Sequence, residues 1–204
     1  SKFKLLRDPI ISIDEIQNKK KEINEINEKD YFLSIGRLTK QKNYMLLLKL
    51  VKYLNKKNIN KKFIIIGEGE EKAKLLKYIN ENNLNNFVKL IGYKKNIFSY
   101  LKNSNALIST SLWEDPGFTI IEAAYCGIPI ISSDCPNGPK EILNNGDGGY
   151  LYNSNSIEDL INVFNSFLID DKKEIFKKRI LTKKISGEFT LFSHYKNFKK
   201  KIND

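Results

Sequence analysis

Two cysteines, one histidine, one methionine and one tryptophan are all this 204-residue chain has of those types, and only Arg7, Arg37 and Arg179 of its 35 basic residues are arginine. Each scarcity excludes something. Cys126 and Cys135 stand in no Cys-x-x-Cys. A strand of about five residues between them holds them roughly 15 Å or more apart, beyond disulfide reach. They read as reduced, buried thiols in a cytoplasmic setting. With His194 alone, no zinc-ligand set is available. No stretch of about 18 apolar residues occurs, so nothing is expected to span a membrane. The first residues, SKFKLLRDPIIS, have no signal-peptide core and no initiator Met, which points to a processed or cut start.

The net charge of +11 invites a nucleic-acid reading, and its distribution argues against one. Residues 1–102 carry 23 Lys and Arg against 11 Asp and Glu; residues 103–171 carry only Lys140 against ten acids; residues 172–204 carry 11 against three. Nucleic-acid readers favour Arg for bidentate contacts, and no nucleic-acid motif is present. The lysines read mainly as a solvated face, with steering toward phosphates or an anionic membrane surface as the functional alternative.

Residues 1–29 read as a lead-in or interdomain linker, with a polar run, EIQNKKKEINEINEK, that is a solvated helix or a linker. From Asp30 short apolar runs alternate with amphipathic ones. Strands are expected in YFLSIGRL, KFIIIGEG, NFVKLIGY, NALISTS, IPIISSD and GYLY, and helices between them. Closing helices are expected over 156–169, 171–186 and 189–202. This alternation specifies an α/β fold: a Rossmann-like parallel sheet of about six strands with helices on both faces. We read 30–188 as one such domain and 189–204 as a C-terminal helix. Ligands in such folds bind beyond the carboxyl ends of the strands. That edge collects Gly36-Arg37 with Lys42, Gly67-Glu68-Gly69, Gly92-Tyr93, Ser109 to Glu114, and Asp134 to Gly138. Glycines admit close backbone approach, cations meet phosphates, and carboxylates accept from hydroxyls. The set suits a nucleotide diphosphate carrying a sugar.

The most specific stretch is WEDPGFTIIEAAYCGIPII, residues 113–131. Pro116 suits the first turn of a helix and Gly127 its end, giving a loop, a helix of about ten residues, a tight cap and a strand. The helix start near Gly117, Phe118 and Thr119 offers free N–H groups to an anion. Glu114 is either a helix cap or a ligand contact. Glu122 lies among Ile120, Ile121, Ala123 and Ala124, where a carboxylate needs a partner. Read as a hydrolase acid and base, the two would have to flank one bond about 5–10 Å apart; Glu122 on its helix looks more like a hydroxyl acceptor. Gly67-x-Gly69 lacks the third glycine of the dinucleotide fingerprint, so structural and ligand-contacting roles stand level there.

SIGRLTKQKN, FIIIGEGEE, VKLIGY and WEDPGFTIIEAAYCGIPIISSDCPNGPKEIL together resemble the C-terminal, donor-binding half of the family-four (group 1) retaining glycosyltransferases of GT-B fold, over roughly residues 29–190. The last segment carries the family's two glutamates with seven residues between them. The resemblance implies that Arg37 and Lys42 bind the diphosphate of a nucleotide sugar and stabilise the leaving group. Gly117 to Thr119 would meet phosphates and sugar, Glu114 a sugar hydroxyl, Glu122 the ribose, and Gly92 to Lys94 the base, with Gly36 and Gly67 at the neighbouring strand ends. It implies retention of anomeric configuration, no metal and no cofactor beyond the donor, which the SSDCPNGPKEIL segment inclines to a UDP-linked hexose or N-acetylhexosamine. It also implies an acceptor-binding N-terminal half outside this chain, polysaccharide or glycolipid assembly, and a place at the inner face of the cell membrane with a lipid-linked glycan as partner. The family usually has an aromatic residue before the turn glycine; here Pro116 precedes Gly117 and Phe118 follows. A non-catalytic nucleotide- or sugar-phosphate-binding module is the alternative.

Overall fold

Apolar runs of three to six residues, each followed by a helix, can satisfy their backbone only by pairing side by side in parallel. A computed structural model describes residues 6–26 and 30–203, and its described residues do so. Strands β1 (Tyr31–Ile35), β2 (Lys62–Ile66), β3 (Val88–Leu90), β4 (Ser104–Ser109), β5 (Ile130–Asp134) and β6 (Tyr150–Asn153) form one parallel sheet in the order β3-β2-β1-β4-β5-β6. The chain winds outward from β1 to β3, returns to lay β4 beside β1, and winds outward the other way. The α/β, Rossmann-like expectation is met.

Period-two alternation divides the core. Phe32, Phe63, Ile65 and Ile108 face one layer of helices, α2 (Tyr44–Lys56), α3 (Lys72–Glu81) and α7 (Ile157–Ile169). Phe32 there lies 5.3 Å from Phe63 and 4.8 Å from Phe164 between ring centroids. Tyr31, Leu33, Ile64 and Ile66 face the other layer, made by α1 (Ile13–Lys19), α4 (Phe98–Leu101), α5 (Phe118–Tyr125) and α6 (Pro139–Ile142). Helices α8 (Lys172–Ser186) and α9 (Leu191–Asn203) complete the chain, α8 and α7 capped by Asp171 and Ser156. No helix among the described residues is long and apolar enough to cross a membrane.

Two local expectations change. The lead-in is not simply solvated over its described part: Ile11 and Ile16 are buried, Ile11 bridges Thr190, and Asn24 donates to the Ser99 carbonyl. Residues 1–5 and 27–29 of that lead-in lie outside the described residues. Helix α5 has eight residues rather than about ten and starts at Phe118, because Gly117 has a left-handed φ of 94° that no right-handed helix can contain. Pro116, joined to Asp115 by a cis peptide bond, therefore stands before the helix and not in its first turn.

The carboxyl ends of β1, β2 and β3 are stitched through glycines. Gly36 N–H donates to the Ile66 carbonyl at 3.0 Å, and Gly67 N–H to the Gly92 carbonyl at 2.9 Å. A Cβ on Gly67 would stand 1.9 Å from the Gly36 carbonyl oxygen, at a φ of +151°. What Gly67 makes room for is thus the backbone of its own neighbour. Gly67→Ala should force β1 and β2 apart at this edge and cost about 3 kcal/mol, from the steric conflict added to the strained φ. Urea denaturation checks it; an unchanged midpoint would show that the strand ends give way freely.

Candidate functional site

Strand order reverses between β1 and β4, so the two connections leaving their carboxyl ends diverge and open a crevice. The sequence places Gly36-Arg37 on one side of it and Ser109 to Glu114 on the other. A cleft of about 700 Å³ there is lined by Gly36, Arg37, Lys42, Glu114, Gly117, Phe118 and Thr119, all expected site residues, with Gln41, Trp113, Asp115 and Asn137 beside them. A second hollow of about 370 Å³ shares Gly36 and Arg37 and extends along Ile35, Ile66, Gly67, Glu68 and Tyr93. Most of the surface it exposes is apolar, which suits the flat face of a base. A third, of about 230 Å³, shares Tyr93, Lys94 and Ile97 and reaches Glu122. Gly92 adjoins this series through Glu68, whose Oε1 lies 2.9 Å from where a Gly92 Cβ would be.

The centre of the cleft is an ion pair that sequence reasoning missed. Lys42 Nζ lies 2.6 Å from Glu114 Oε1, and the Glu114 side chain is only 4% exposed. Ser111 Oγ donates to the same oxygen at 2.5 Å. Glu114 is therefore not a cap of α5. Buried hydroxyls hold both partners in place. Thr110 Oγ1 donates to the Lys42 carbonyl at 2.7 Å, and Ser133 Oγ to the Ser111 carbonyl at 2.6 Å. The residues are 72 apart in the chain, and only the adjacency of β1 and β4 brings them together. Beside the pair, the Tyr44 hydroxyl is buried with no hydrogen-bond partner. Burial first, and then the Glu114 charge, push its ionisation far above the ordinary phenol range.

At α5, Ile120 and Ile121 donate to the Gly117 carbonyl, the first bonds of the helix. The N–H groups of Gly117, Phe118 and Thr119 come before them, in residues that line the cleft, and the helix dipole favours an anion there.

Glu122 is not brought to the Lys42–Glu114 pair. It lines the third hollow, facing Glu15, Ile16 and Lys19 of α1. Burial pushes its carboxyl up to about 7, with Lys19 pulling down and Glu15 pushing up. His194 serves structure, its Nδ1 2.7 Å from the Arg7 carbonyl oxygen. Cys126 and Cys135 are both free thiols, Cys135 buried and Cys126 half-buried.

The raised Glu122 carboxyl makes a pH prediction. Between an unfolded value of 4.5 and a folded value of about 7, the native state holds a proton that the unfolded chain has lost. Glu122's contribution is full below 4.5 and lost as pH rises through 7, amounting to about 3 kcal/mol. Glu122→Gln should therefore match the parent in urea at pH 4 and be the more stable at pH 8. Equal stabilities at both values would place Glu122 in a wetter environment.

A sequence model of the glycosyl transferases, group 1, matches residues 15–181. An uncharacterized glycosyltransferase of Methanocaldococcus jannaschii is 42% identical over 155 residues, covering 70% of this chain and 38% of its own length. The UDP-Gal:alpha-D-GlcNAc-diphosphoundecaprenol alpha-1,3-galactosyltransferase of Escherichia coli is 31% identical over 159 residues, 76% of this chain and 41% of its own. The chain thus spans about two fifths of the length of these relatives. Among solved structures, Anabaena HepE in complex with UDP-glucose superposes with a TM-score of 0.77 at 20% identity, over 98% of this chain and 57% of that one. Staphylococcus aureus TarM, in a complex that includes UDP, gives 0.74 at 22% identity, over 90% of this chain and 37% of that one. At such identities the likeness establishes the fold. With the family model covering most of the chain, the conclusion is direct: this protein belongs to the group 1 glycosyl transferases and has the Rossmann-like fold of the C-terminal half of their GT-B enzymes.

Proposed function

We propose that the chain is the donor-binding half of a retaining glycosyltransferase that moves a hexosyl or N-acetylhexosaminyl group from a UDP-linked donor to a glycan or lipid-linked acceptor. The observation that carries the reading is the Lys42–Glu114 pair at the reversal point of the sheet, facing the open start of α5. Relatives named for UDP-galactose and neighbours solved with UDP support the choice of nucleotide.

In this reading the diphosphate lies between Arg37, Lys42 and the N–H groups of Gly117 to Thr119. Those cations and dipoles neutralise charge as it grows on the leaving phosphate, a task assigned here to side chains and backbone rather than to a metal. The base lies along the hollow from Ile35 to Tyr93, and the ribose hydroxyls meet Glu122. Phosphate oxygens compete with Glu114 for Lys42. As Lys42 turns to them, Glu114 gains acceptor capacity for a sugar hydroxyl, and the unpartnered Tyr44 hydroxyl stands ready as a replacement donor to it. Retention follows if the leaving phosphate takes the acceptor's proton as the acceptor attacks the same face. An acceptor-binding domain opposite this cleft completes the site, and a lipid-linked acceptor puts the enzyme at the inner face of a membrane. Alone, the chain binds donor weakly and transfers little.

Calorimetric titration with UDP, GDP and ADP should give measurable binding for UDP above the other two. No heat with any of them at millimolar ligand would sink the donor-site reading. Lys42→Met should strand a buried carboxylate and cost about 3 kcal/mol of stability, with loss of UDP binding. Adding Glu114→Gln should recover most of that stability in urea denaturation. If the double variant also regains UDP affinity, Lys42 is structural and does not hold the diphosphate.

A further inference from the structure

The polar run EIQNKKKEINEINEK reads in the sequence as a solvated helix or a linker, yet its described part, residues 15–26, is folded against the hollow that Glu122 lines. Helix α1 and the turn after it are tied to α4 and to the loop between β3 and α4. Asn96 Nδ2 donates to the Lys19 carbonyl at 2.8 Å and to Glu22 Oε2 at 2.7 Å, and Asn24 Nδ2 to the Ser99 carbonyl at 2.9 Å. Lys94 Nζ, in that loop, lies 2.5 Å from Glu25 Oε2. Ile16 is buried beneath these contacts. The lead-in therefore forms a fixed wall of the hollow, facing Glu122 across it.

That wall carries two opposite charges. Lys19 is ion-paired with Glu15, one turn before it on α1. No hydrogen bond or ion pair from the described residues takes the Glu122 carboxylate. Across the hollow Lys19 favours its ionised form and Glu15 opposes it. The other charged groups nearby are engaged elsewhere. Lys94 is held by Glu25, while Tyr93 and Lys95 line the hollow from its exposed side. Lys20, and Lys183 of α8, act on the neighbouring Cys126. On α6, Lys140 pairs with Asp134 and Glu141 with Arg7. Tyr125 and Cys126, next along α5, are pushed up by burial and stay neutral. Among the described residues, Lys19 is thus the cation that acts on Glu122.

We propose that Lys19 is a positioning residue of the nucleotide site, a proposal that rests on the reading of Glu122 as the holder of the ribose hydroxyls. Its charge keeps Glu122 as an ionised acceptor, and its attachment to Glu15 limits how much of that charge Glu122 receives. A carboxylate accepts two hydroxyl hydrogens at once, whereas the protonated acid must use one oxygen as a donor. The ionised form therefore matches a vicinal diol, and the desolvated hollow opposes that form. Binding a ribose must release the proton that Glu122 holds; Lys19 eases the release and Glu15 resists it. The lead-in thus tunes nucleotide affinity without touching the nucleotide.

Calorimetry with UDP and with 2′,3′-dideoxyuridine diphosphate, between about pH 5.5 and about pH 8.5, tests this. The two ligands carry the same base and phosphates, so the difference between them isolates the ribose hydroxyls. UDP should gain about tenfold in affinity over the dideoxy ligand as the pH rises through the Glu122 midpoint of about 7, the worth of one hydrogen bond to a charged group. Lys19→Met should move that midpoint upward and weaken UDP several-fold at neutral pH. Lys19→Arg should restore both, and Glu15→Gln should move the midpoint downward. If the two nucleotides respond alike to pH, Glu122 does not read the ribose and the proposal fails with UDP binding intact. If they differ but the midpoint stays in place in Lys19→Met and Glu15→Gln, the wall made by α1 is structural only, and the proposal fails there. No binding of either ligand at any pH removes the donor reading and the role of Lys19 with it.

Discussion

A chain that lays β4 beside β1 after winding away to β3 must open a gap, because consecutive connections leave that point in opposite directions. The candidate site is arranged around that constraint. The gap exposes the carboxyl ends of two central strands, so backbone and side chains from both half-sheets look into it. It also creates a stability problem, since each strand end leaves polar groups with no sheet partner on one side. The glycine row on the β1 to β3 side and the serine and threonine hydroxyls on the β4 to β5 side answer it. Gly36 and Gly67 let backbones approach closely enough to bond. Thr110, Ser111 and Ser133 reach across loops with side chains instead.

The Lys42–Glu114 pair bridges the gap itself. A pair this buried contributes less to stability than its short distance suggests, because both charges have lost water. Its physical merit is specificity of arrangement: with Ser111 on the same carboxylate oxygen, few alternative placements of the loop after β4 remain satisfied. It is also a reserved charge. An anion entering the cleft finds a lysine already desolvated and aimed, and meets a carboxylate that must yield it. The hydroxyl of Tyr44, buried alongside, has no hydrogen-bond partner among the described residues.

Much of this was legible in the sequence, for reasons that differ by element. The sheet was legible because β-branched runs and amphipathic helices alternate without interruption. The location of the cleft followed from glycines and polar residues concentrated after each run, and Arg37, Lys42, Glu114 and Gly117 to Thr119 do line it together. Glu122 was placed on the right helix, but its hollow and its neighbours Glu15 and Lys19 were hidden, because α1 comes from a segment whose isoleucines are too sparse to announce burial. The ion pair was hidden for another reason: pairing across 72 residues depends on strand order, which local pattern does not carry. The start of α5 was misread because a proline before a helical run resembles a first-turn proline, and only the backbone angle of Gly117 shows that the turn comes after it.

The chain's division of charge coincides with the parting of its sheet. The lysine-rich first 102 residues build the β1 to β3 half, and the acidic stretch 103–171 builds the β4 to β6 half. The walls of the crevice therefore differ in charge, Arg37 and Lys42 on one side and Glu114 and Asp115 on the other, while the basic α8 packs behind the acidic half. A molecule charged at one end only and hydroxylated at the other would be turned before it touched either wall. Its anionic end would swing toward Arg37 and the lysines, and its neutral end toward Glu114 and Asp115. The field thus acts as a compass as well as a lure, and raising the ionic strength should blur orientation on approach more than it weakens contacts already buried.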